Sequence, residues 1–447
     1  MSRGYAEVRT PDGAAIVPPG GGQWLVGCAR AVITPPLGSE LVGQFEPRFS
    51  EGVHDDLYVR AMVISDGQTA VALTTCDVAS LPAETVAAAR AAVATTTGMP
   101  SHCCHILATH THTGPSLHPS LGRTPDASVA AAFPDRVAAV VAEAHRRLAP
   151  ARLMVATSSC PLTFTRRFLK RSGGAVTHPA RGREDILGPE GPADPELHVL
   201  SAHTPGGRWI GALVNWASHP ITVGHESVVS ADYPGALEAA WQRAVGPDAI
   251  CLFANGAAGN LCPFDWYHPE ATPYGFPYME HLGEVLATTA LDALAAAAEP
   301  CPATGLRCAT RHLAVPLRAA DDAERTAAES WSAVEQRIFA QERELLDIQR
   351  RAAPTESLEI AVVSVGPLRI VLQPTELFCE FGMEIKTRAG GTRTLVAGYA
   401  NGNVGYVPTE TAFANGGYET RLCRTSKLAP EAGQMIVDSA VNMLGPS

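Results

Sequence analysis

Histidines recur at the ends of apolar runs in this chain. Ile106-Leu-Ala-Thr-His110-Thr-His112-Thr-Gly-Pro115 carries a strand-like run into two histidines at i and i+2. On an extended backbone these project from one face. Two imidazoles on one side of a strand end suit metal binding or acid–base work, although the spacing also fits structural histidines. Asn215-Trp-Ala-Ser-His219-Pro220 closes a second apolar run, Gly211–Val214. Two such motifs favour a metal, because open sites combine histidines with a carboxylate and leave a position for water. Phe253-Ala-Asn-Gly-Ala-Ala-Gly-Asn260-Leu-Cys262-Pro263 opens a strand into a loop of small residues. Such a loop brings backbone N–H groups close to a ligand; a tight turn around a buried cysteine is the plainer reading. Pro374-Thr375-Glu376 follows the run Leu368–Leu372. Last come Gly398-Tyr-Ala-Asn401-Gly-Asn403-Val-Gly405-Tyr406-Val-Pro-Thr409 and Gly417-Tyr418-Glu419, which singly read as turns.

In this order the fragments resemble the catalytic domain of the neutral/alkaline (non-lysosomal) ceramidases. That family carries a THTHSGP-like stretch, then W-x-x-HP, G-[DN]-[VL]-S-P, P-G-E, and N-x-Y-x-x-Y followed by Y-E. Gly27–Pro36 and Gly52-Val-His54-Asp-Asp-Leu57 match its flanks, so the resemblance extends over nearly all of 24–447. It implies one zinc held by His110, His219, Glu376 and Tyr406, and a mixed N/O set suits that ion. It puts His112 beside the metal or in the role of proton donor, with metal binding by both histidines of the HxH pair left open. The family's substrate-facing arginine falls on Arg166, with Arg167 one residue off. Gly259, Asn260 and Tyr418 fall on substrate contacts, and Asp77 and Asp232 on positions that orient ligands.

The implied reaction is hydrolysis of an amide bond by a zinc-activated water. The oxyanion would be met by zinc, by Tyr406 and by N–H groups of the 256–262 loop. His112 would protonate the leaving amine, and Arg166 would bind an anionic or polar group of the substrate. Ester, lactone or cyclic-amide opening at the same zinc is the alternative within enzymes; a non-catalytic metal-binding homologue is the alternative outside them. The family's serine in G-[DN]-[VL]-S-P is Cys262 here. It is either a nucleophile or a loop residue, and its neighbours Leu261 and Pro263 offer no base or cation to prepare a thiolate, which favours water. No counterpart of the family's Ig-like C-terminal domain and no secretion signal are found. The expected substrate is therefore a small or medium soluble acyl compound.

These residues need strands to end beside one another. Short Val/Ile/Leu-rich runs predict strands at Arg60–Ser65, Ala70–Cys76, Cys104–Ala108, Leu153–Thr157, His198–Ala202, Trp209–Asn215, Ile250–Ala254, Leu358–Val365, Leu368–Leu372 and Thr394–Ala397. Asp66-Gly67 and Gly206-Gly207 read as hairpin turns. Helical spacing covers 82–97 and 134–148, a helix follows the cap Asp232, and a long charged helix is expected over 320–352 with Trp331, Ile338, Leu345 and Ile348 on one face. The polar stretch Arg167–Pro195 reads as an ordered loop or flap. The expected fold is α/β, mixed β-sheets flanked by helices of the neutral-ceramidase catalytic-domain type, with 1–23 as a flexible tail and 24–447 as one hydrolase domain.

Composition bounds the rest. With 447 residues and 46% hydrophobic content a sizeable core is available. The net charge of −11 and the absence of a basic run speak against nucleic-acid partners. No apolar run reaches the length of a membrane span, so no stable membrane anchor is expected. Eleven dispersed cysteines with no CxxC read as reduced thiols of a cytoplasmic protein. Homo-oligomer formation is left open.

Overall fold

The computed structural model describes residues 23–179, 184–268, 274–319 and 332–445. The expected tail lies outside these residues but for Gln23, as do the first part of the long charged helix and Trp331.

Nine strands form the main sheet. From one edge to the other run Ile250–Asn255, Trp209–Trp216, Glu196–His203, Ala149–Ser159, Trp24–Val32, Tyr58–Ser65, Ala70–Cys76 and Cys104–Ala108, with Glu299–Cys301 added to Ala149–Ser159. Pairing is antiparallel except at the two edges. There Trp209–Trp216 runs parallel to Ile250–Asn255, and Ala70–Cys76 parallel to Cys104–Ala108. A second sheet of four strands orders Arg307–Pro316, Thr355–Val365, Leu368–Leu372 and Thr394–Ala397, the last pair again parallel.

Side-chain alternation decides how the sheets stack. Ala361, Val363 and Val365 turn into a central core shared with Leu200, Leu213 and Leu252 of the main sheet. Their neighbours Ile360 and Val362 turn outward onto the helix Ala432–Leu444. On the main sheet Val199, Val214 and Phe253 turn outward onto the helices Tyr233–Val245 and Phe276–Ala297. The two sheets thus enclose an apolar layer, each covered by helices on its other face.

The expected strands and both hairpin turns are present, several longer by one to four residues at an end. Arg307–Pro316 was not foreseen: it is an edge strand with few buried apolar residues, so it lacks the composition of a core strand. The second helix begins not at Pro134 but at Ala127, because Asp126 accepts from the N–H groups of Ser128 and Val129 and caps it. Of the long charged helix the described part is Ala333–Ala352, with a Ser332/Glu335 capping box. Its buried face is Ile338, Phe339, Glu342 and Leu346; Ile348, expected on that face, is 57% exposed. The stretch after Arg167 folds into a small sheet of Arg167–Lys170, Ala175–Thr177 and Ile186–Pro189.

What the fold does for the site is to bring strand ends together. The edge strand Ile250–Asn255 packs back against Tyr58–Ser65, Ala70–Cys76 and Cys104–Ala108, so the main sheet curls and its two parallel edges meet. Buried amides fasten the join. Asn255 donates to Thr109 O at 3.3 Å, and Asn215 donates to Val396 O at 3.1 Å, tying in the second sheet. Asn401 accepts from Ile106 N–H at 3.0 Å. The C-terminal ends of three parallel pairs or their neighbours therefore open into one crevice, the usual location of ligands in sheets with parallel strands.

Candidate metal centre

His110 leaves its strand in the left-handed region, at φ 74°. For a residue with a side chain that is strained backbone, maintained here by Thr109 N–H on Cys76 O and His110 N–H on Val78 O. Its ring stacks on Tyr399 at 4.1 Å. Nδ1 lies 2.6 Å from Ala79 O and so carries the proton, which turns the lone pair of Nε2 into the cavity. His219 is fixed the same way: Nδ1 faces Ala258 O at 2.8 Å and Leu261 O at 3.0 Å. Glu376 stands on a two-residue strand paired with Tyr406–Val407, which makes Glu376 and Tyr406 cross-strand neighbours. Its Oε2 lies 3.4 Å from Nε2 of both His110 and His219. His112 brings its Nε2 to 3.2 Å from that of His110, and the ligand atoms of His110, His112 and His219 all lie within 4.8 Å of one another.

A cation fits these residues. His219 Nε2 and Glu376 Oε2 are buried without any hydrogen-bond partner among the described residues. Such atoms are costly to bury unless something satisfies them. A tetrahedral zinc with bonds of about 2.0–2.1 Å sets its ligand atoms roughly 3.3 Å apart, close to the separations seen. Burial works against ionising Glu376, but His110 and His219 outweigh it and hold the carboxyl well below its usual range. Burial first and Arg166 second push His219 down to about 4, and burial with the neighbouring His110 pushes His112 well below its ordinary value. The centre thus offers imidazole nitrogens and one carboxylate, a donor set suited to a divalent ion.

Arg166 and Tyr406 stand beside it. Arg166 Nη2 donates to the Tyr406 hydroxyl at 3.1 Å and to Gly259 O at 2.8 Å, while its Nε pairs with Glu419 at 2.9 Å. Glu419 also takes Arg167 at 2.6 Å and Thr177 at 2.7 Å. Arg166 lines the cavity, whereas Arg167 is fully buried and spends its guanidinium on Glu190, Glu419 and Gly416 O. The cavity holds about 550 Å³, and His110, His112, Glu376, Tyr406 and Tyr418 are on its wall.

Other expectations are corrected. Gly259 and Asn260 are not on the cavity wall. Gly259 lies so close to Glu376 that a Cβ would sit 2.2 Å from its carbonyl oxygen, and Asn260 pins Cys379 N–H and Glu380. Three N–H groups of the 256–262 loop, those of Gly256, Gly259 and Leu261, are taken up by Trp216 O, Leu377 O and Ala258 O. Asp77 pairs with Arg60, and Asp232 holds Thr222 and the start of its helix; backbone carbonyls, not these acids, orient the imidazoles. Cys262 is fully buried against Phe264 and Tyr278, off the cavity wall, and burial pushes its thiol up to about 11. That is the opposite of what a nucleophilic thiolate needs.

Three contributors escaped the sequence reading. Arg48 ties Val42 O and His112 O to Gly224 O and Glu226 O. Tyr399 backs His110, and Glu419 pairs both arginines. Tyr399 and Glu419 stood within quoted motifs, but nothing marks a lone arginine such as Arg48 as a clamp.

A mixed α/β protein with a histidine–carboxylate centre at converging strand ends is the class that fold and site define. Solved structures share that fold, among them two with the following likeness to this chain. One is described as "Ceramidase complexed with C2": 20% identical, TM-score 0.73, covering 95% of this chain and 75% of that one. The other is the neutral ceramidase from Pseudomonas aeruginosa: 19% identical, TM-score 0.71, with the same coverage. No protein-family model and no curated protein matches the sequence. The chain has the neutral ceramidase fold.

Proposed function

We propose that this protein is a metal-dependent hydrolase of amide (N-acyl) bonds, with zinc as the ion. The observation that carries this reading is the convergence of His110, His112 and the buried His219 with an unpartnered Glu376 Oε2, at an open cavity that His110, His112 and Glu376 line. His110, His219 and Glu376 would hold the ion with Tyr406 as a fourth ligand, and zinc so held lowers the pKa of a bound water toward about 7. The ceramidase titles of its structural relatives agree with amide chemistry.

The chain's own groups supply the rest. Arg166 donates to the Tyr406 oxygen and, lining the cavity, offers positive charge to a substrate carbonyl oxygen as negative charge develops there. Glu376 stays ionised beside the two imidazoles. His112, whose ring reaches the cavity next to His110, is placed to take a proton from the attacking water and hand it to the leaving nitrogen. Arg48 holds the His112 backbone in register for this. Water adds to the acyl carbon, the C–N bond breaks, and a carboxylate and an amine leave.

A cavity of about 550 Å³ is in the range of drug-sized ligands and supports a small or medium acyl substrate. Eleven free cysteines support a reducing compartment such as the cytoplasm. Among the described residues no helix is long and apolar enough to cross a membrane. The test is a panel of N-acyl amines, N-acyl amino acids, esters and lactones, run on protein whose metal content has been measured. Turnover of amides by zinc-loaded protein and its loss on chelation are expected. Turnover of esters or lactones alone would shift the reading to those bonds, and stoichiometric metal with no turnover would reduce it to metal binding.

A further inference from the structure

The cavity wall carries two unlike groups of side chains beside the residues of the metal centre. One is charged: Glu335 and Arg421 pair at 2.7 Å, and the guanidinium lies over the Tyr418 ring at 5.9 Å. The other is aromatic. His178 lies 5.3 Å from Trp266, Trp266 lies 6.1 Å from Phe264, and Phe264 lies 5.9 Å from Tyr274. Behind them Ile221 and Trp266 pack on Cys262, Phe264 and Tyr278, so this group has an apolar backing.

His178 is one of the polar groups on this part of the wall, with His225, whose ring lies 5.7 Å from Tyr274 and whose N–H binds the Tyr274 hydroxyl. The His178 backbone is left-handed, φ 50°, and is held there by its N–H on Arg166 O at 2.9 Å. Strained backbone at a cavity wall is kept only where the surrounding structure over-determines it. The ring is open to the cavity, and among the described residues its nitrogens have no hydrogen-bond partner. A neutral imidazole offers one donor and one acceptor. Asp265, also on this side, is turned onto the N–H groups of Tyr267 and His268.

Resting on the hydrolase reading, we propose that the group of His178, Ile221, Phe264, Trp266 and Tyr274 is the acyl subsite, selecting aromatic acyl groups that carry a hydrogen-bonding substituent for His178. The leaving amine becomes an ammonium in water, and the charged group with Glu335 suits that side of the bond. An aromatic ring meets the ring walls with edge and face contacts beyond area burial. A straight alkyl chain would strip water from His178 and give nothing back, which costs affinity. A hydroxyl on the ring replaces that water.

The test uses the full chain loaded with zinc and the glycine amides of 4-hydroxyphenylacetic, phenylacetic, hexanoic and hexadecanoic acids. Both kcat/KM for each amide and Kd for free 4-hydroxyphenylacetate are measured. The hydroxylated aryl amide is expected to lead the phenyl one by about tenfold, and His178→Ala to level the two. Trp266→Ala is expected to cost both aryl amides about tenfold and the hexanoyl amide no more than about twofold. Zinc content stays unchanged in both variants, and the exposed Leu187→Ala serves as control. A preference for the hexadecanoyl amide, or an equal loss on every acyl group in the two variants, overturns the subsite. If no amide turns over while 4-hydroxyphenylacetate binds in a manner that needs His178 and Trp266, the hydrolase reading fails and the subsite stands. If the acid does not bind and no acyl selectivity is seen, the subsite fails.

Discussion

At the floor of the cavity the chemistry-bearing side chains are held by backbone. Ala79 O fixes His110, Ala258 O and Leu261 O fix His219, and the Glu376–Tyr406 pairing sets the carboxylate. At the rim the side chains are held by one another: Glu335 by Arg421, and Phe45 by Phe339 at 5.7 Å and Tyr418 at 6.0 Å. Backbone restraints leave an imidazole one orientation and one tautomer, which a metal site needs. Side-chain restraints are individually weak and can be exchanged without unfolding anything. The floor therefore carries reaction type, and the rim is free to carry substrate choice.

The sharpest way to break this comparison is at the floor. His110→Ala, His219→Ala and Glu376→Ala are each expected to lose most of the metal and more than about 100-fold in kcat/KM, beyond the range seen for groups that only support a ligand. Metal analysis of each purified variant checks this, and full zinc with full activity in all three would show that the centre is elsewhere. Arg166→Met removes the partner of Tyr406 and one of two arginines on Glu419, all buried. A loss of about 3 kcal/mol in denaturant unfolding is expected, as for breaking a buried pair from one side.

Acid sharpens the same point. Burial opposes ionisation of Glu419, but Arg166 and Arg167 outweigh it and bring its pKa down to about 2. A depressed carboxyl contributes stability that is fully present above the unfolded value of about 4.3 and is lost as pH falls toward 2. Urea midpoints measured across that window should fall in the parent and fall less in Glu419→Gln.

Effects at the rim are smaller. Ser332→Ala removes the capping box of the helix that presents Glu335, and about 1 kcal/mol is expected from thermal unfolding, with kcat unchanged. Smallest of all is Cys262→Ser. With the thiol off the cavity wall, activity within about twofold of the parent is expected, and intact-protein mass spectrometry during turnover should show no acyl adduct. An adduct that vanishes in Cys262→Ala would make the cysteine the nucleophile.

Much of the framework was legible along the chain. Strands such as Ala70–Cys76, Cys104–Ala108, Leu368–Leu372 and Thr394–Ala397 fall where their apolar runs lie, because a strand buried on both faces writes itself as a continuous hydrophobic stretch. His110, His112 and His219 stand at or beyond such runs; Glu376 and Tyr406 lie in stretches that singly read as turns, and the resemblance to the ceramidases is what marks them. Which donors face inward could not be read along the chain, and neither could the fate of the 256–262 loop. A run of small residues reads alike whether its N–H groups face a ligand or, as those of Gly256, Gly259 and Leu261 do, bind other carbonyls.

The sequence by itself determined the periodicities: which stretches are strands, which residues end them, and which histidines are available at those ends. Tertiary structure alone decided that the two parallel edges of one curled sheet meet the second sheet through Asn215, Asn255 and Asn401. It also decided that Arg166 reaches the cavity while Arg167 is buried behind it, and that Cys262 lies under an aromatic wall. The reason is physical. Strand and turn preferences act between residues near in sequence, whereas His110 and Glu376 meet only when hydrophobic burial closes the sheets on each other.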